Sequence, residues 1–185
     1  NLKLLVACDV SSKYTRRGFS EYEKMAEYIY EMAVGKQGNY MVFFPSYRML
    51  EDIYEIFRNK TEERKFEVSC ILQNSNMTER EREEFLEAFQ NNITGTLIGF
   101  CVMGGIFSEG IDLTGERLIG AAIVGTGLPQ VGCEREILKN YYDEKEQNGF
   151  AYAYRYPGMN KVLQAAGRVI RTKEDRGVVL LLDER

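Results

Sequence analysis

Apolar positions along the chain fall into six short runs, separated by five longer stretches in which they recur every three or four residues. Short continuous runs suit strands buried on both faces of a sheet, and the three-to-four spacing suits amphipathic helices. Leu2 to Cys8 reads as a short buried strand, and Asp9 to Lys13 as the turn leaving it. Ser20 opens a helical pattern carrying Met25, Ile29 and Ala33, which ends near Gly35 and Gly38. Tyr40 to Phe44 is a second strand. Pro45-Ser46-Tyr47 interrupts it, and a helix from about Arg48 to Lys60 follows, with Leu50, Ile53 and Phe57 inward.

Phe66 to Leu72 alternates and therefore belongs nearer a sheet edge. Thr78, with Glu81 three residues later, forms a capping box for a helix carrying Phe85, Leu86 and Phe89. Gly95 to Met103 and Arg117 to Val124 are the fourth and fifth strands, and a glycine-rich segment from Gly104 to Asp112 lies between them. The turn Gly125 to Pro129 leads into a polar, tyrosine-rich helical stretch to about Asn148. A last helix starts near Gly158, and a last strand runs from Gly177 to Asp183. Strand and helix in strict alternation predict an α/β domain: one mostly parallel sheet with helices on both faces, spanning residues 1–185 as a single unit. Ligands of such sheets gather beyond the carboxyl ends of the strands. Ser46-Tyr47, Gly104–Asp112 and Gly125–Pro129 all follow strands, and the last helix is expected to be brought to the same edge.

Apolar and charged fractions of 44% and 28% in 185 residues are those of a globular domain. No run approaches the roughly 20 apolar residues of a membrane span, and no signal segment opens the chain, so the expectation is an intracellular, cytoplasmic protein without a membrane partner. The net charge of -4 argues against coating nucleic acid by bulk attraction but leaves room for a local basic groove. Cys8, Cys70, Cys101 and Cys133 fit neither a metal knuckle nor a disulfide scaffold and read as buried free thiols. The chain has no histidine, which excludes Ser-His-Asp and Cys-His nucleophiles and imidazole-bound zinc.

Chemistry concentrates in Gln164-Ala-Ala-Gly-Arg168-Val-Ile-Arg171. On one helix Gln164, Arg168 and Arg171 share a face, and small neighbours let another body approach. Guanidinium forks match phosphate oxygens two at a time, although solvated surface arginines fit the same pattern. In Gly104-Gly105-Ile106-Phe107-Ser108-Glu109-Gly110-Ile111-Asp112 the glycines admit close approach, Ser108 suits a phosphate and Asp112 a sugar hydroxyl. A plain turn with Glu109 as a helix cap fits these residues too. Ser46 and Tyr47 put a hydroxyl and a ring just past a strand, which suits either a single-stranded nucleic acid or a packed core tyrosine. The chain lacks GxxxxGK[ST], and Gly125, Gly127 and Gly132 have the wrong spacing for a dinucleotide loop.

Together, FFPSY at Phe43–Tyr47, GGIFSEGIDLTGE at Gly104–Glu116, GxGLP at Gly125–Pro129, QAAGRVIRxxxDxG at Gln164–Gly177 and the terminal DxR of Asp183 and Arg185 resemble the second motor domain of superfamily-two DNA helicases of the DinG/XPD, Rad3-related type. The resemblance implies a RecA-like fold forming one wall of an ATP site between two motor domains. It implies Arg168 and Arg171 as arginine fingers, Gln164 as a positioning residue, and Glu109, Gly110 and Asp112 beside the nucleotide. It also places Ser46, Tyr47, Gly105, Phe107 and Ser108 along single-stranded DNA. The Walker lysine, the ligands of Mg²⁺ and any iron-sulfur cysteines belong to the family's first motor domain. The expectation is therefore a fragment that does not hydrolyse ATP alone and whose partners are that first domain and DNA. A non-catalytic RecA-like module binding a single strand or a protein is the alternative.

Overall fold

The computed structural model describes residues 1–91, 94–107, 113, 117–170 and 175–185. Six strands, β1 (Leu2–Ala7), β2 (Asn39–Phe44), β3 (Ser69–Leu72), β4 (Leu97–Val102), β5 (Gly120–Val124) and β6 (Gly177–Leu182), form one sheet in the order β1-β6-β5-β2-β4-β3. Every pairing is parallel, so the expected mostly parallel sheet is wholly parallel. The helices are α1 (Phe19–Gly35), α2 (Tyr47–Glu63), α3 (Glu79–Asn91), α4 (Cys133–Glu144) and α5 (Tyr156–Ala166), with a π turn at Ala151–Arg155 entering α5.

The sheet carries a core on each face. Val42, Phe44, Phe100 and Leu180 meet α1 and α2 on one side, while Met41, Phe43, Ala121 and Val179 meet α3 and α5 on the other. All six residues of β2 are buried because β2 has a strand on each side and helices above and below. The alternating run at Phe66–Leu72 becomes the short edge strand β3, as its pattern suggested. The capping box forms: Thr78 and Glu81 exchange hydrogen bonds, with Thr78 N to Glu81 Oε2 at 2.6 Å and Glu81 N to Thr78 Oγ1 at 3.3 Å.

Four expectations need correction. β1 is the other edge strand, and only Ala7 of its six residues is buried, so the run Leu2–Cys8 is not a core strand. Helix α1 starts at Phe19 with Gly18 rather than Ser20 at its N-cap. Of the cysteines, Cys101 is buried and Cys70 half-buried, but Cys8 and Cys133 are exposed. Finally, α5 ends at Ala166, with Gly167 as its C-cap, so Gln164 and Arg168 do not lie on one continuous helix. The chain tightens there into i to i+3 turns, Arg168 N to Ala165 O and Val169 N to Ala166 O, both at 3.2 Å, a common way for a helix end to satisfy its last carbonyls.

Candidate functional site

Strands β2, β4 and β3 are neighbours, so the segments leaving their carboxyl ends are too. Ser46 caps α2: its hydroxyl accepts from Met49 N at 3.3 Å, satisfying one of the helix's orphan donors. The cap directs the next residue, Tyr47, sideways toward the end of β3. There the Gln73 amide donates to the Tyr47 hydroxyl at 3.0 Å and its carbonyl accepts from Val102 N at 2.9 Å. Gln73, only 3% exposed, thus ties three strand ends together. Pattern reasoning missed it, because a single glutamine after a short edge strand carries no periodic signal.

The turn after β4 is shaped by the same contact. Gly104 has φ of 70°, open chiefly to glycine, and a Cβ on Gly105 would sit 2.9 Å from the Gln73 amide nitrogen. Ser46, Tyr47 and Gly105 are therefore brought together, with the aromatic ring and the backbone turn half-buried. Phe107 is not part of that surface. It is 2% exposed, and its ring stacks on Phe85 with centroids 4.1 Å apart, so burial withdraws it from any base. Ser108, Glu109, Gly110, Asp112 and Arg171 lie outside the described residues.

The last helix reaches this edge only at its start. A Cβ on Gly158 would lie 2.7 Å from Thr126 O, and one on Gly127, φ 61°, would lie 3.1 Å from Gly158 O, so the turn after β5 and the first turn of α5 meet backbone to backbone. Lys161 lies over the turn after β4, its Cε 3.2 Å from where a Gly104 Cβ would stand. From there α5 runs back toward the amino ends of the strands. Val169 Cγ1 stands 2.2 Å from the position of a Cβ on Gly177, the first residue of β6. Arg168, half-buried, is therefore at the opposite end of the sheet from Tyr47, and Gln164 is exposed between them. The expectation that the whole motif gathers at the carboxyl edge is corrected: a helix returning between parallel strands must cross the sheet's full height.

A polar network closes the carboxyl edge beyond β6 and β1. Asp183 accepts from the Ser12 hydroxyl at 2.6 Å, from Ser12 N at 3.0 Å and from Arg185 Nε at 2.9 Å. Burial pushes this carboxyl's pKa up, but the hydrogen bonds from Arg185 and Ser12 outweigh it and hold the group below the ordinary aspartate range. The Arg185 guanidinium also donates to the Ser12 hydroxyl at 2.7 Å. This fixes both residues of the terminal DxR pattern against the end of β5, where a Cβ on Gly125 would strike the Ser12 hydroxyl at 2.6 Å.

In the tyrosine-rich stretch Tyr142 stacks on Tyr152, centroids 4.2 Å apart, and the Tyr154 hydroxyl donates to Glu136. Much of that aromatic content is thus spent locking α4 onto the π turn. Among the described residues, no group of three or more cysteines and carboxylates is placed to hold a metal ion, and no helix is long and apolar enough to cross a membrane.

A wholly parallel sheet with helices on both faces, and motif segments at both of its ends, is the RecA-like arrangement of a helicase motor domain. A profile of the helicase C-terminal domain family matches residues 29–185, and the chain belongs to that family, in its Rad3-related, superfamily-two branch. It is 33% identical over 158 residues to regulator of telomere elongation helicase 1 of Bos taurus, which covers 78% of this chain and 13% of that protein. It is 26% identical over 189 residues to ATP-dependent DNA helicase XPD of Sulfolobus acidocaldarius, covering 97% and 31%. A solved XPD helicase superposes over 100% of this chain and 32% of its own, with a TM-score of 0.77 at 23% identity. The chain thus spans under a third of the length of these relatives.

Proposed function

We propose that the chain is the second motor domain of an intracellular ATP-dependent DNA helicase, working with a first RecA-like domain that holds the Mg²⁺ and most of the nucleotide. In this reading Arg168 and Arg171 present guanidinium groups to the γ-phosphate, where charge builds as it transfers to water. Gln164 positions groups beside them, and Glu109, Gly110 and Asp112 line the nucleotide. Ser46, Tyr47, Gly105 and Ser108 lie along single-stranded DNA, with Tyr47 and Gly105 at the end of the sheet opposite Arg168. There the Tyr47 ring is the stacking surface, and the glycine turn lets the sugar-phosphate chain approach.

The observation that carries the reading is the separation itself. Tyr47, Gln73 and Gly105 converge at the carboxyl ends of the strands, and Arg168 stands at the amino ends. One rigid domain then touches a track at one end and a nucleotide at the other, as a body that converts cleft closure into a step must. The two relatives named above are called helicases, one of them ATP-dependent and acting on DNA.

The test is DNA-stimulated ATP hydrolysis by the full-length gene product, compared with Arg168→Ala, Arg171→Ala and the isolated chain. Loss of an arginine finger is expected to lower turnover by roughly 10³ to 10⁵ with DNA affinity retained, and the isolated chain is expected to be inactive. Undiminished hydrolysis by both arginine variants overturns the finger assignment and favours a non-catalytic RecA-like module.

A further inference from the structure

The open edge of the sheet carries a second surface. Between β1 and α1 lies a groove of about 620 Å³, at the end of the sheet far from Tyr47 and Gly105. Its floor is Leu5 of β1 with Val178 and Leu180 of β6, and its wall is Tyr28 and Met32 of α1. Leu5 is 40% exposed although it lies beside the buried Leu180 in register. A parallel sheet ordinarily has both faces covered, and on this face the core built with α1 and α2 reaches Ala7 at the end of β1 but leaves Leu5 exposed. Lys3 and Leu5, on this side of β1, are exposed.

The groove is also charged, and at one end. Lys3 is the second residue of β1, Lys36 follows α1, and Arg176 immediately precedes β6, so all three stand at the amino end of the groove they line. None is in an ion pair with a described residue, whereas the one acid of the groove, Glu31, lies 3.9 Å from Arg64. Three cations without a carboxylate partner among the described residues, grouped on a chain of net charge -4, mark a place where carboxylates are wanted. A nucleic acid does not suit it, because the floor is apolar and the cations sit at one end instead of tracking a backbone.

We infer that this groove docks an acidic amphipathic helix of a partner polypeptide, its apolar stripe on Leu5, Val178 and Leu180 and its carboxylates over Lys3, Lys36 and Arg176. The helix lies beside α1 as α1 lies beside α2, completing the layer that the sheet lacks. Six residues of β1 span about 20 Å, which a helix of about 13 residues matches. The occupant leaves the Tyr47 and Gly105 surface open, so docking and DNA binding are compatible.

The probe is a synthetic, labelled helical peptide of about 14 residues, with leucines along one stripe and glutamates in one terminal turn, titrated by fluorescence anisotropy against the full-length protein. Saturable binding is expected. It should weaken about tenfold or more in Lys36→Glu/Arg176→Glu, and likewise in Leu5→Glu, with circular dichroism and thermal midpoint unchanged. A peptide with lysines replacing its glutamates should bind the charge-reversed protein better than the original. The proposal is overturned if the two peptides bind wild type alike, if neither binds, or if sedimentation shows a dimer that these substitutions dissociate, since a second copy then fills the groove.

Discussion

Replacing Phe107 separates a core role from a role on DNA. The ring is 2% exposed and stacks on Phe85, which in turn meets Phe89 at 5.7 Å, so these rings pin the segment after β4 onto α3. Burying a phenylalanine of roughly 150–250 Å² at about 25 cal/mol per Å² gives about 4–6 kcal/mol, and truncation of buried phenylalanines costs about 3–5 kcal/mol. We therefore expect Phe107→Ala to lose about 4 kcal/mol in urea denaturation, a fall of roughly 8–16 °C in midpoint for a domain of this size. Phe107→Leu keeps most of the volume, gives up the ring contact and should cost about 1–2 kcal/mol. Affinity of the full-length Leu variant for single-stranded DNA should stay within about twofold of wild type, since a buried ring offers no face for a base. The reasoning fails if Phe107→Ala costs under about 1 kcal/mol, or if Phe107→Leu keeps its midpoint while DNA affinity falls tenfold.

Gly158→Ala puts a methyl 2.7 Å from Thr126 O, where neither backbone can yield cheaply, and should destabilise by about 1–3 kcal/mol in the same denaturation assay. Gln73→Ala strips the Tyr47 hydroxyl and Val102 N of a buried partner. It should cost about 1–3 kcal/mol and weaken DNA binding by the full-length protein more than it lowers saturated ATP turnover. Tyr40 is 1% exposed, and burial pushes its phenol up to about 12. The unfolded chain loses this proton first, near pH 10, so the stability is fully present below that pH. It drains away between about pH 10 and 12, by roughly 2–3 kcal/mol. Tyr40→Phe should remove that share of the alkaline loss, leaving the part due to the Cys70 thiol, which burial also pushes up to about 12. An equal loss in the variant would place the titrating group elsewhere.

What the sequence discloses depends on whether a residue's neighbours are local. The Thr78–Glu81 box and the Ser46 cap are read from three or four consecutive residues, and both form. The burial of Tyr40–Phe44 matches its unbroken apolar run, as expected of a central strand of a parallel sheet. The run at Leu2–Val6, interrupted only by Lys3, is nearly as apolar but lies exposed at the sheet edge, because strand order is set by pairings between residues as distant as Leu5 and Leu180. The end of α5 was hidden for another reason. Val169 and Ile170 continue the apolar rhythm beyond Gly167, and only contact with Gly177 shows that they pack from a turn. Gln73 illustrates the hardest case, a residue whose partners, Tyr47 and Val102, are 26 and 29 positions away.

The two ends of the domain are linked by its own connectivity. Strands β4 and β5 are parallel, so the chain that leaves the carboxyl end of β4 at Val102 must regain the amino end of β5 at Gly120. Its first residues, Gly104 and Gly105, sit against Gln73 and Lys161. Its last, Leu118 and Ile119, are buried where Ile119 O lies 2.9 Å from the Cβ position of Gly177, beside Val169. In the reading proposed above, the glycine turn belongs to the DNA and the neighbourhood of Val169 to the nucleotide, so one crossover is anchored at both. Phe107 fastens that crossover to α3 near its start. A substitution that loosens the anchor without unfolding the domain, as Phe107→Leu should, is therefore expected to reduce the stimulation of ATP hydrolysis by DNA while leaving DNA affinity and basal hydrolysis near wild type. Equal stimulation in that variant would mean that the coupling runs through the rigid sheet and not through this connection.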